Sequence, residues 1–166
     1  MWANIIRMME VSKLVEALTG LYKPGYRYLQ GAEVNTSGAK GLFKLKSTEY
    51  METMNHMTDV EAQLCLNQIA YVFFAYHAIN RTWPELGLNT LEDFLSLTKE
   101  GMFVLESRKR FRRETVPAKE FAGTLELRSY TKISTQAFVA RLNFDLNEGA
   151  CRGYLKLAIR LDRRDI

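Results

Sequence analysis

Two periods of apolar residues divide the chain. Residues 4–19 place Ile5, Met8, Met9, Leu14, Val15 and Leu18 at helical spacing, and Gly20 with Pro24-Gly25 ends that helix. Residues 27–34 and 41–47 read as a hairpin around Asn35-Thr36-Ser37-Gly38. Thr58-Asp59-Val60-Glu61 has the form of a capping box, and residues 59–80 follow without Gly or Pro. After its first turn this stretch is apolar nearly all round, which predicts a buried helix. A second short helix is expected over 90–98, after Pro84 and Gly87.

The period then changes to two. Phe103/Leu105, Phe121/Gly123/Leu125/Leu127, Phe138/Ala140/Leu142/Phe144/Leu146 and Cys151/Gly153/Leu155/Leu157/Ile159 alternate with polar residues. This pattern predicts half-buried antiparallel strands, with Asn147-Glu148-Gly149 as a hairpin turn between the last two. The expected architecture is α+β: one antiparallel sheet wrapped around one central helix, in a single domain over 1–166.

Composition narrows the chemistry. A net charge of +4 fits a phosphate-bearing ligand or an acidic partner and gives no sign of a nucleic-acid surface. Two His and two Cys are too few for a Cys/His zinc cage, so neither metal nor cofactor is expected. Cys65 and Cys151 sit among apolar residues and read as reduced, buried thiols. No run of 18 apolar residues or secretory leader is present, so the expected setting is cytoplasmic, without a membrane span.

The sequence shows no G-x-S-x-G elbow, H-E-x-x-H, P-loop or dinucleotide-binding glycine pattern. Attention falls instead on polar residues in apolar settings. Asn67-Gln68 interrupts the buried helix. Two readings stand: a structural amide bonded to a strand, or an amide that orients a carbonyl or a water. Tyr50 and His56 precede the helix N-terminus, where backbone amides attract negative charge. Glu61 is a candidate general base that the capping box already employs. Ser107 to Arg113 carries five positive charges in seven residues. As a strand it would put Arg108, Arg110 and Arg112 on one face, and Lys109 and Arg113 on the other. That cluster reads either as a solvated edge or as a landing site for cofactor phosphates or an acidic carrier protein.

These residues carry a family likeness. Leu64-Cys65-Leu66-Asn67-Gln68-Ile69-Ala70-Tyr71, preceded by His56 and Glu61, resembles the central helix of the FcoT-type (type III) fatty acyl-CoA thioesterases. The basic run with Pro117 and Phe121 is similar too, as are Gly25 with Arg27-Tyr28-Leu29 and the segment Gly153 to Ala158. The resemblance implies a hot dog fold, assembly through paired sheets, and an acyl tunnel near a subunit interface. It implies a site of tyrosines and asparagines: Asn67 on the helix, Tyr50 upstream of it, and Tyr22 before the Arg27-Tyr28-Leu29 motif. Where the family has Asn at the helix cap, this chain has Thr58, which keeps the capping oxygen and loses the amide donor.

The expected activity is hydrolysis of an acyl thioester on CoA or a carrier protein, by a homo-oligomer (a dimer or a dimer-based hexamer). Asn67 and Tyr50 would polarise the carbonyl or position water, the amides near Val60 and Glu61 would stabilise the oxyanion, and Thr58 and Val60 would contact the substrate. The resemblance also implies an alternative, a lyase-type addition of glycine across the double bond of a (2E)-enoyl carrier-protein thioester. A non-catalytic acyl-binding protein is the third possibility.

Overall fold

The computed structural model describes residues 2–46, 55–117 and 119–161. Helix α1 (Trp2–Thr19) leads through a short turn to the hairpin of β1 (Leu29–Asn35) and β2 (Gly38–Lys44). Helix α2 (Asp59–Ile79) and helix α3 (Leu91–Glu100) follow. Strands β3 (Met102–Phe111), β4 (Glu120–Ser134), β5 (Ala137–Leu146) and β6 (Cys151–Arg160) complete the chain. The six strands form one antiparallel sheet in the order β1-β2-β4-β5-β6-β3.

Local chemistry accounts for the boundaries. The Asn35 side chain accepts the backbone N–H groups of Ser37 and Gly38, each at 2.9 Å, and turns β1 into β2. The strands begin and end a few residues from the expected hairpin bounds, and residues 47–54 lie outside those described. On α1, Leu14, Val15 and Leu18 are buried together with Val11; the side chains of residues 2–9 lie outside those described. On α2, Ala62, Leu66, Val72, Phe73 and Phe74 are all fully buried. Burying a side chain the size of Phe contributes about 1.5–3 kcal/mol, so this helix anchors the core.

The sheet curls over α2 with one face inward. Leu125 on β4, Phe138 to Leu146 at alternate positions on β5, and Cys151, Leu155, Leu157 and Ile159 on β6 are buried, as the alternation predicts. This is the hot dog arrangement.

Strand β3 departs from its expected pattern. Phe103 and Leu105 are 44% and 53% exposed. The pairing of β3 with β6 slips between Val104 and Glu106, and a bulge of this kind flips the inward parity. Val104 pairs with Leu157, whereas beyond the bulge Ser107, Lys109 and Phe111 pair with the inward-facing Leu155, Gly153 and Cys151. Gly153 permits the close approach there: a Cβ at that position would lie 1.8 Å from the Arg108 carbonyl oxygen.

Candidate active site

Helix α2 begins with the expected cap. Thr58 Oγ1 accepts the amides of Val60 and Glu61, while the Glu61 carboxylate accepts the Thr58 amide at 2.8 Å and the Thr58 hydroxyl. Glu61 is completely buried in this reciprocal arrangement. Glu61, the candidate general base, closes the cap with its carboxylate, the task that the capping box assigns to it. The expected oxyanion donors, the amides of Val60 and Glu61, are bonded to the Thr58 hydroxyl, which works in the cap itself. The Val60 side chain is exposed.

The adjacent amides of α2 diverge. Gln68 is buried, and its oxygen accepts the Tyr28 and Leu29 amides at 3.0 and 2.9 Å. Its nitrogen donates to the Tyr26 carbonyl at 2.7 Å, so Gln68 is the structural amide that ties the central helix to the start of β1. Asn67 faces elsewhere and is half-buried. Gln63, one turn earlier, donates to Asn67 Oδ1 at 2.8 Å, and Ser107 on β3 donates to Gln63 Oε1 at 2.9 Å. Tyr71 stands one turn beyond Asn67. Gln63, Asn67 and Tyr71 thus form a half-buried stripe with i, i+4 spacing.

Tyr22 joins this stripe. Its backbone carbonyl accepts Arg27 Nε at 2.9 Å, which fixes the turn after α1. Its hydroxyl is a hydrogen-bonding neighbour of the Tyr71 hydroxyl. Burial, reinforced by Tyr71, holds the Tyr22 phenol well above its ordinary pKa. Burial raises Tyr71 as well, against the opposing effect of its bond to Tyr22. Both are neutral hydroxyls at physiological pH. Tyr50 lies outside the described residues.

The basic run does not form one surface. Arg108 and Arg110 pair with Tyr154 and Arg152 on the outer face of the sheet. Lys109 turns inward, its side chain 6% exposed, and bonds Asp59 at 2.9 Å. Strand β3 ends at Phe111, so the expected alignment of Arg112 with Arg108 and Arg110 is corrected: Arg112 lies in the loop beyond. There, with His56, Thr58, Asp59, Phe111 and Arg113, it lines a cleft of about 370 Å³ at the N-terminus of α2. Met57, also in the lining, donates its N–H to the Thr115 carbonyl at 2.8 Å. Arg113 Nη2 donates to the Asn147 and Glu148 carbonyls, which ties the loop to the turn between β5 and β6. Asn67 stands eight residues along α2 from Asp59, about 12 Å away along the helix axis.

Asn67 and Tyr22 therefore belong to one stripe, and His56, Thr58 and Arg112 to the cleft at its end. Arg108 and Arg110 belong to neither. Sequence reasoning missed Gln63, Ser107 and Tyr71. The four-residue spacing on either side of Asn67 was a usable signal for Gln63 and Tyr71; Ser107 shares the face expected of Phe103 and Leu105, but nothing in the sequence sets it opposite Gln63.

Known proteins extend these observations. Residues 18–159 match the model of the FcoT-like thioesterase domain. The chain is 35% identical over 109 residues to a (2E)-enoyl-[ACP] glycyltransferase of Mycobacterium marinum, covering 63% of this chain and 59% of that protein. It is 28% identical to a (2E)-enoyl-[ACP] glycyltransferase of Streptomyces coeruleorubidus, covering 82% of this chain and 89% of the other. Among solved structures, the thioesterase HI1161 from Haemophilus influenzae superposes with a TM-score of 0.51 at 12% identity, over 92% of this chain and 94% of that one. That likeness shows the fold. With the family model spanning most of the sequence, the chain belongs to the FcoT-like thioesterase domain family.

Proposed function

We propose that this protein adds glycine to a (2E)-enoyl thioester held on an acyl carrier protein. The observation that carries this reading is the contrast between Asn67, whose amide lies on a half-buried face, and Glu61, whose carboxylate is locked in the cap. Hydrolysis requires a water to be activated, ordinarily by a base. Conjugate addition brings its own nucleophile. The free amine of glycine forms a bond to Cβ, and the π pair of the C=C bond moves toward the carbonyl. The proton lost from nitrogen ends on Cα, and the thioester survives. The protein has to polarise the carbonyl and hold the amine in place, and a neutral Tyr/Asn site suits that task. The names of the glycyltransferase relatives support the same reading.

Hydrolysis of acyl-CoA or acyl-carrier-protein thioesters is the second reading, favoured by the thioesterase family model. Mass spectrometry of crotonyl-carrier protein, incubated with and without glycine, separates the two. A gain of one glycine with the acyl group retained is expected. Loss of the acyl group irrespective of glycine would establish hydrolysis instead. Retention of an unmodified acyl group in both samples would leave the protein as an acyl binder.

The assembly we propose is homo-oligomeric. Edge strand β3 exposes Phe103, Val104 and Leu105, each 44% or more accessible. An edge with unpaired backbone groups and apolar side chains is a template for pairing, here with a second copy of the chain. Among the described residues, no helix is long and apolar enough to cross a membrane.

A further inference from the structure

The carboxamide of Asn67 has two ends with opposite uses. Its oxygen would hold a water or an amine; its N–H groups would hold a carbonyl. In the structure one end is engaged. Ser107 Oγ donates to Gln63 Oε1 at 2.9 Å, and Gln63 Nε2 donates to Asn67 Oδ1 at 2.8 Å. The oxygen of Asn67 is thereby engaged, and Nδ2 has no hydrogen-bond partner among the described residues.

We propose that Ser107 and Gln63 are positioning residues that hold Asn67 as a hydrogen-bond donor, so that its amide polarises the acyl carbonyl and does not receive the incoming nucleophile. The proposal rests on the acyl-thioester reading above and specifies the part Asn67 plays in it.

The physical reason lies in the terminal torsion of Asn, which is broad and roughly two-fold. An unrestrained Asn67 would present oxygen as readily as N–H, and oxygen repels a carbonyl. A donor that is fixed beforehand needs no reorganisation when negative charge develops. The relay also depends on the edge strand. The bulge between Val104 and Glu106 turns Ser107 toward α2. With the unbroken parity of the first strand residues, Ser107 would face outward and Gln63 would lose its partner.

The decisive variant is Gln63→Glu. A carboxylate of nearly the same shape accepts and cannot donate, so Asn67 turns its N–H groups toward it and its oxygen toward substrate. Glu is a good helix former, so α2 should persist, which circular dichroism checks. Two readouts apply: kcat and KM with crotonyl-carrier protein, and the carbonyl stretch of bound crotonyl-CoA by difference infrared spectroscopy. Loss of one donor of this type lowers kcat by about 100-fold, and that is the fall expected, with KM little changed. The infrared band should return toward its frequency in solution. From the strand side, Ser107→Val should weaken both readouts, and Ser107→Thr should restore most of the loss.

Asn67→Ala distinguishes the two levels of the argument. If Asn67→Ala abolishes carbonyl polarisation while Gln63→Glu and Ser107→Val keep it, the relay is overturned and the acyl site stands. If Asn67→Ala keeps wild-type kcat and band position, the acyl site itself is misplaced and the relay falls with it.

Discussion

The Lys109 ammonium lies 2.9 Å from the Asp59 carboxylate and clasps the edge strand to the first turn of the central helix. The two ends are unequal: the Lys109 side chain is 6% exposed, whereas that of Asp59 is 70% exposed. Asp59 also lies in the first helical turn, where a negative charge complements the dipole.

This asymmetry makes a prediction about stability. Asp59→Ala leaves a buried ammonium facing the positive end of α2. Lys109→Met removes the charge and keeps the apolar stem. Asp59→Ala should therefore cost more, by about 1–2 kcal/mol after discounting for solvent around the exposed carboxylate. For a chain of this length, each kcal/mol shifts Tm by about 2–4 °C. Thermal melts of the two variants and of the double variant test this, and an Asp59→Ala variant as stable as Lys109→Met would refute it.

The neighbours Asn67 and Gln68 should separate function from folding. Gln68→Leu orphans the amides of Tyr28 and Leu29 and the carbonyl of Tyr26. Each buried unsatisfied group costs about 1–3 kcal/mol, so a loss of roughly 3 kcal/mol or more is expected. Asn67→Ala forfeits one partly exposed hydrogen bond, at about 1 kcal/mol. Chemical denaturation should rank the two variants in that order. An equal loss would mean that Asn67 also has a structural task.

That pair also marks how far the sequence could be read. Residues 59–80 identify the central helix because capping and continuous apolarity agree there. The strands from β4 onward follow their alternation for the same reason. Asn67-Gln68 announces a polar break in that helix, but neighbouring residues differ by about 100° around its axis, and only packing shows which one faces β1. The charged run was legible as a strand as far as Phe111. The alternation of Phe103 and Leu105, carried on, puts Ser107 and Lys109 on the inward face as well; what it does not show is the bulge between Val104 and Glu106, with Phe103 and Leu105 themselves exposed. Ser107 and Lys109 were passed over because a run of charges does not tell which of its faces packs on α2.

Alkaline pH should weaken the fold through groups held neutral by burial. Tyr22 and Tyr71 are raised above the ordinary phenol value, and the Cys151 thiol is pushed up to about 11, chiefly by burial and against the opposing effect of Lys109. A group raised in the native state keeps its proton longer folded than unfolded. Its stabilising contribution is complete below the unfolded pKa and disappears as pH rises through the native one. These groups should add no slope below about pH 8, and Tm should fall as pH rises beyond about 9. Tyr22→Phe should make the alkaline decline shallower. An unchanged slope would show that Tyr22 titrates alike in both states.

The edge strand offers the last test, because the proposed assembly and the proposed site would share it. Phe103, ahead of the bulge, and Leu105, the unpaired residue within it, are 44% and 53% exposed, and their exposure is not compensated within one chain. Burying a side chain of this size contributes about 1.5–3 kcal/mol, and an antiparallel pairing of two β3 edges would bury several at once. Leu105→Lys places a charge in that contact without touching the inward face that holds Ser107 and Lys109. Sedimentation should then show monomers where the wild type shows dimers or larger assemblies, with the secondary structure retained. Ser107 lies two residues away on the same strand, so freeing β3 should also loosen the hold on Gln63. The monomeric variant is expected to lose kcat as well as its partner. A monomer with full activity would separate assembly from the site.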